Sequence, residues 1–194
     1  MTSSSRVSVA LASVISAVAL FAAAPTTASA ATVPTAHVTI QMFAFTPSNL
    51  TAHLGTLVVW TNKDSTAHTT TSDQGFWGSP HIGTGGTYSR TFNQAGTYTY
   101  HCAIHPSMHG TVSVPMRGSA RVGGATLVWA LSSGTYDVQV ERPRSTTWAP
   151  FVTGTTSRSI SFTTSHFGTY HFRARTHGSS ADSGWSPSLA LSIE

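Results

Sequence analysis

The residues best suited to chemistry lie in one short run, Tyr100-His101-Cys102-Ala103-Ile104-His105-Pro106-Ser107-Met108-His109-Gly110. It sets a thiol, an imidazole and a thioether at the spacing C-x2-H-x2-M. Cys102 is the only cysteine of the chain, so no internal disulfide can use it, and outside the cytoplasm an idle thiol is exposed to oxidation. A soft metal ion gives the three groups a common purpose. Thiolate and thioether favour Cu(I), and imidazole suits both copper oxidation states. A fourth donor must come from elsewhere in the chain. His68, 34 residues before Cys102 and at the end of an expected strand, is the best candidate.

Zinc is the rival metal, since one cysteine and two histidines can hold it. A weak methionine ligand adds little for zinc, however, and nitrogen and sulfur sites generally bind copper more tightly. The other histidines have blander readings. His101 falls on the strand face opposite Cys102, and His109 follows the ligand loop. His37, His53 and His81 read as surface residues, and His166, His171 and His177 have no convergent spacing. Met116 lies past the last strand of this half and is a poor substitute for Met108.

The compartment follows from the N-terminus. Residues 1–30 have the order of an export signal: Arg6, the apolar stretch Val7 to Phe21, and the small-residue site Ala28-Ser29-Ala30. The expected location is secreted, extracellular or periplasmic, with no membrane span after cleavage. Charged residues are only 8% of the chain, which is common for exported β proteins. The pI near 9.7 invites a nucleic-acid reading. Yet Lys63 and Arg90 balance Asp64 and Asp73 over residues 31–115, and the later arginines are scattered rather than striped, so no nucleic acid is expected as a partner.

These ligands need a rigid scaffold, and the pattern after residue 30 is all-β. Short runs rich in Val, Thr, Tyr and Phe are broken by Gly, Pro, Asn and Ser. Val58 and Trp60 share one strand face, as do Tyr98, Tyr100 and Cys102. Asn93-Gln94-Ala95-Gly96 is a turn, and Thr111-Val112-Ser113-Val114 is a closing strand. Residues 116–119, within Pro115-Met116-Arg117-Gly118-Ser119, then read as a linker between a domain at 31–115 and another at 120–194. In the second, Leu127 alternates with Trp129, Tyr136 with Val138 and Val140, and Tyr170 with Phe172 and Ala174. Trp129 and Trp185 are both expected in its core.

Two resemblances follow from these residues. Segment 33–114 resembles a cupredoxin, a small blue-copper protein of Greek-key β-sandwich or barrel form. The match is carried by Phe43-Ala44-Phe45-Thr46-Pro47 on an early strand, Trp60-Thr61-Asn62 before His68, Gly96-Thr97-Tyr98-Thr99-Tyr100 before Cys102, and Cys102-x-x-His105-x-x-Met108 followed by Gly110-Thr111-Val112. The two-residue gap before Met108 is the short form of the ligand loop, as in the amicyanin branch of the family. The resemblance implies one type 1 copper ion held by His68, Cys102, His105 and Met108. Two imidazoles and a thiolate would form a trigonal set with a long axial thioether. It also implies that the Thr69 N–H bonds the Cys102 sulfur, that the His105 edge is exposed in an apolar patch, and that a redox partner protein exists. Residues 120–194 resemble a fibronectin type III domain, through Leu127-Val128-Trp129, Tyr136-Asp137-Val138, Tyr170 to Arg175 and Gly184-Trp185-Ser186-Pro187. Such domains are more often spacers or docking modules than catalysts, and as a docking module this one would take a cell-wall or other extracellular ligand.

A single-electron carrier is therefore the leading expectation. A copper scavenger or an adhesion protein is the alternative, in which the site does not serve electron transfer. A multicopper oxidase would need paired His-x-His motifs, and the chain has none. Nor is a catalytic triad or carboxylate pair visible, so no enzyme is expected.

Overall fold

The computed structural model describes residues 33–194; the export signal read at 1–30 lies outside them. Every regular element in this range is a strand, and none of the described residues forms a helix able to cross a membrane. Alternation of buried and exposed side chains carries the pattern. In β4 (Thr56–Asn62), every second residue from Thr56 to Asn62 is buried. In β7 (Gly96–His101), Gly96, Tyr98 and Tyr100 are buried in the same way. Strands with period-2 apolar positions must lay that face on a second sheet.

The first sandwich has two four-stranded sheets. One runs β2 (Ala44–Thr46), β1 (Thr35–Gln41), β4 and β6 (Thr87–Phe92). The other runs β3 (Asn49–Thr51), β8 (His109–Val114), β7 and β5 (Thr71–Ser72). β1 pairs with β4 in parallel, and β3 with β8 likewise, so the chain crosses between sheets rather than meandering. Trp60 is fully buried between them, its ring packed by Trp77, Tyr88, Phe92 and Tyr100. Its indole N–H donates to the Tyr100 hydroxyl at 3.1 Å. Tyr100 lies flat across its register partner Gly110, where a Cβ would come within 2.3 Å of the ring. Only glycine fits that position.

The second sandwich has a three-stranded sheet, β13 (Ser159–Thr163), β10 (Gly124–Val128) and β9 (Arg117–Arg121). It faces a four-stranded sheet of β12 (Ala149–Thr155), β11 (Tyr136–Glu141), β14 (Gly168–Thr176) and β15 (Leu189–Ile193). Trp129 is fully buried there, as expected. Two expectations are corrected. Residues 117–119 are not a linker but the start of β9, paired with β10 from Arg117↔Val128 to Arg121↔Gly124. All five β9 residues are exposed, so backbone pairing makes this strand without any apolar alternation to announce it. Trp185 is only partly buried. It lies on a sheet face between the guanidinium groups of Arg173 and Arg175, each 4.9 Å from its ring, and Arg173 also covers Trp148 at 4.2 Å. Cation–π stacking explains this placement without a core.

The two sandwiches share one buried cluster. Ala95 N–H donates to Trp129 O, and Thr97 and Gly184 exchange both backbone bonds at 2.8 and 2.9 Å. Thr176 Oγ1 donates to Ala95 O at 3.0 Å. Gly96 lets the chains meet, since a Cβ there would lie 2.4 Å from Ser183 Oγ. Tyr98 is buried in this seam, which pushes its phenol up to about 12.

Candidate metal centre

The end of β7 delivers Cys102, and the following loop folds back on itself. Met108 N–H donates to His105 O at 3.0 Å, and Cys102 N–H donates to Met108 O at 3.1 Å. These two bonds make a closed turn that turns His105 toward the cysteine and buries Met108 beside it. His68 arrives from the segment after β4, bridged by its backbone to Ile82.

His68, Cys102 and His105 converge. Cys102 Sγ lies 3.8 Å from His68 Nδ1 and 3.7 Å from His105 Nδ1, and the two Nδ1 atoms are 3.1 Å apart. A point equidistant from all three lies roughly 2.1 Å from each, inside the range of about 2.0–2.3 Å found for first-row metal bonds to imidazole and thiolate. At this separation one Nδ1–H can donate to the other Nδ1, and a metal ion taking the place of that proton would face all three donors. The trio thus fits a metal ion on donor type and on spacing. His68 and Cys102 are buried, and His105 is partly exposed.

The surroundings orient the donors. His68 Nε2 lies 3.1 Å from Asp64 Oδ2 and 3.3 Å from Thr66 Oγ1. An Nε2–H donated to the carboxylate leaves the Nδ1 lone pair aimed at the sulfur. Asp64 also accepts Met42 N–H at 2.7 Å and Phe43 N–H at 3.0 Å. The Phe43 N–H, with the Met42 N–H and the His68 ring, holds the Asp64 carboxyl below its usual range against a smaller effect of desolvation. Thr69 N–H donates to Cys102 Sγ at 3.3 Å, the bond that the resemblance implied. The Thr69 hydroxyl accepts Ala103 N–H at 2.7 Å and so straps the first residue of the ligand loop to the His68 segment.

Sequence reasoning missed two contributors. Asp64 entered it only as a charge, although its position four residues before His68 was a signal. Phe43 was placed on an early strand; it lies instead in the turn between β1 and β2, where Met42 and Phe43 have φ of 53° and 56°. From there the Phe43 ring meets His68 and His105 edge-on at 5.5 and 4.9 Å. Among the remaining histidines, His101 Nδ1 pairs with Asp73 at 2.6 Å and His109 is exposed. His177 does meet two carboxylates, Asp137 and Asp182. Arg175 already spans that group, with bonds of 2.9 and 2.7 Å to Asp137, so its charge is largely met within the protein.

The family model for the "Cupredoxin-like domain" matches residues 12–114, more than half of the chain, and the protein belongs to that family. Over 82 residues it is 34% identical to amicyanin of Paracoccus denitrificans, an alignment covering 40% of this chain and 63% of that protein. The chain thus spans less than two thirds of the length of this curated relative. Among solved structures, a Cu(I) form of an amicyanin variant is 31% identical over 44% of this chain and 85% of the other, with a TM-score of 0.40. A purple cupredoxin from Nitrosopumilus maritimus is 31% identical over 41% and 98%, with a TM-score of 0.39. Family and donor set together point to one copper ion as the cofactor.

Proposed function

We propose that this protein is an exported one-electron carrier whose type 1 copper is held by His68, Cys102, His105 and Met108. The observation that carries the reading is the convergence of two Nδ1 atoms and one sulfur at 3.1–3.8 Å, with a backbone N–H on the sulfur. Copper, when bound, supplies reversible exchange of a single electron between Cu(II) and Cu(I). The chain does the rest. Asp64 and Thr66 fix the His68 ring, Thr69 donates to the thiolate, and the buried Met108 supplies a weak thioether while excluding water. A rigid β framework that holds these donors in place would keep reorganisation small in either oxidation state.

His105 is the partly exposed member of the trio, beside the exposed Ile104 and Pro106, and is the natural point of contact for a redox partner. The near-zero charge of this half argues for docking by apolar contact rather than by long-range steering. We read the chain as a carrier rather than an enzyme, with a cupredoxin domain at 31–115 and a fibronectin type III-like domain following it. The strand orders β13-β10-β9 and β12-β11-β14-β15 support the second assignment.

The test is optical. Copper-loaded protein is expected to be blue through thiolate-to-copper charge transfer and to bleach with ascorbate. Cys102→Ser is expected to lose the colour. A colourless wild-type complex, or an unchanged spectrum in the variant, overturns the reading.

A further inference from the structure

The second sandwich carries a feature unrelated to the metal. At its end far from the copper-binding half, the 142–145 turn and the 162–170 segment enclose an open cleft of about 700 Å³. A second stretch of about 390 Å³ continues from it and shares Arg142, Pro143, Arg144 and Phe167. The nine residues of β14 separate this end from the seam at Thr176.

The floor is aromatic and fixed. Phe162 and Tyr170 pack at 5.1 Å, and the Tyr170 hydroxyl donates to His166 O at 2.9 Å. Phe167 stands at the edge with 69% of its surface exposed. An apolar ring left in water forgoes burial that a bound partner would recover. Arg142 and Arg144 are exposed and make no ion pair among the described residues; the pairs of this sandwich engage Arg175 and His177. Glu141, on the second stretch, is the one carboxylate lining either part.

The turn is built to present these arginines. Pro143 packs on the start of β14, where a Cβ on Gly168 would lie 2.9 Å from the proline ring. Arg144 has φ of 65°, a left-handed conformation that strains a non-glycine residue. Glycine would relax it, so the strain is borne by a position that carries a cation instead.

We propose that this cleft binds a polysaccharide bearing carboxylates, of the polyuronate class. A sugar ring offers a C–H face for Phe167 and hydroxyls for the Thr163 and Ser165 rim, while Arg142 and Arg144 match a planar carboxylate with paired donors. Two continuous stretches suit a chain of several sugars better than one small molecule. A single-stranded nucleic acid is disfavoured because it asks for cations tracking its backbone, and only these two arginines are free here. The proposal is independent of the copper reading.

The test uses the full chain and a galacturonic-acid hexamer in titration calorimetry, with a neutral galactose hexamer, a glutamate hexapeptide and a thymidine hexanucleotide for comparison. The uronate is expected to bind and the others to bind at least about tenfold more weakly. Phe167→Ala and Arg144→Gly are each expected to weaken binding by about tenfold or more. Arg144→Gly should also raise or preserve the unfolding temperature, because it relieves the backbone, which separates lost recognition from lost folding. No binding of the uronate, equal binding of any of the three comparison ligands, or full affinity in either variant overturns the proposal.

Discussion

The Phe43 ring stands perpendicular to the His105 imidazole with centroids 4.9 Å apart, and it touches His68 edge-on as well. One half-exposed phenylalanine therefore covers the outer edges of both imidazoles that converge on Cys102. It is held there through its own backbone by the carboxylate that orients His68.

This cover sets a first prediction. Phe43→Ala keeps the N–H to Asp64 and the same backbone conformation, so the visible spectrum should persist. Exchange with a small oxidant such as ferricyanide should become several-fold faster, because the ring edges are bared. Stopped-flow rates equal to those of the wild type would mean that the ring is no barrier.

Asp64 accepts from three donors, the N–H groups of Met42 and Phe43 and the His68 ring. Asp64→Asn replaces one acceptor oxygen with an N–H donor and must oppose at least one of them. Metal affinity is expected to fall about 10–100-fold, as for other groups that orient a ligand histidine. Competition against a chelator measures it, and unchanged affinity would show that the Asp64 carboxylate is not needed to orient His68.

Met108 tests the thioether of the proposed ligand set. Met108→Gln exchanges a soft thioether for a harder oxygen, which favours Cu(II). Copper should be retained and the reduction potential should fall. Voltammetry with no change would exclude Met108 as a ligand.

The seam between sandwiches sets a fourth expectation. A fragment of residues 31–115 keeps all four proposed ligands but loses the partners of Ala95, Thr97 and Tyr98. It should fold and take up copper, yet melt below the full chain, each lost kcal/mol lowering the midpoint by about 4–8 °C for a domain of this size. A fragment with no cooperative transition would make the second sandwich part of the folding unit.

Several things were legible in the chain itself. The C-x2-H-x2-M loop is one, because covalent spacing limits how far three donors can part and two backbone bonds close the turn. The buried faces of β4 and β7 are another, because period-2 alternation is a local property. The all-β class follows from the same pattern. What tertiary structure decided has no local trace. Phe43 meets His105 across two loops. β9 is exposed at all five positions, so nothing in its composition separates a strand from a linker. Trp185 has the apolar surface of a core residue, and only the arginines of the neighbouring strand make a sheet face an equally favourable place for it. Spacing along the chain constrains neighbours in sequence, whereas partners brought together by packing depend on the energy of the whole fold.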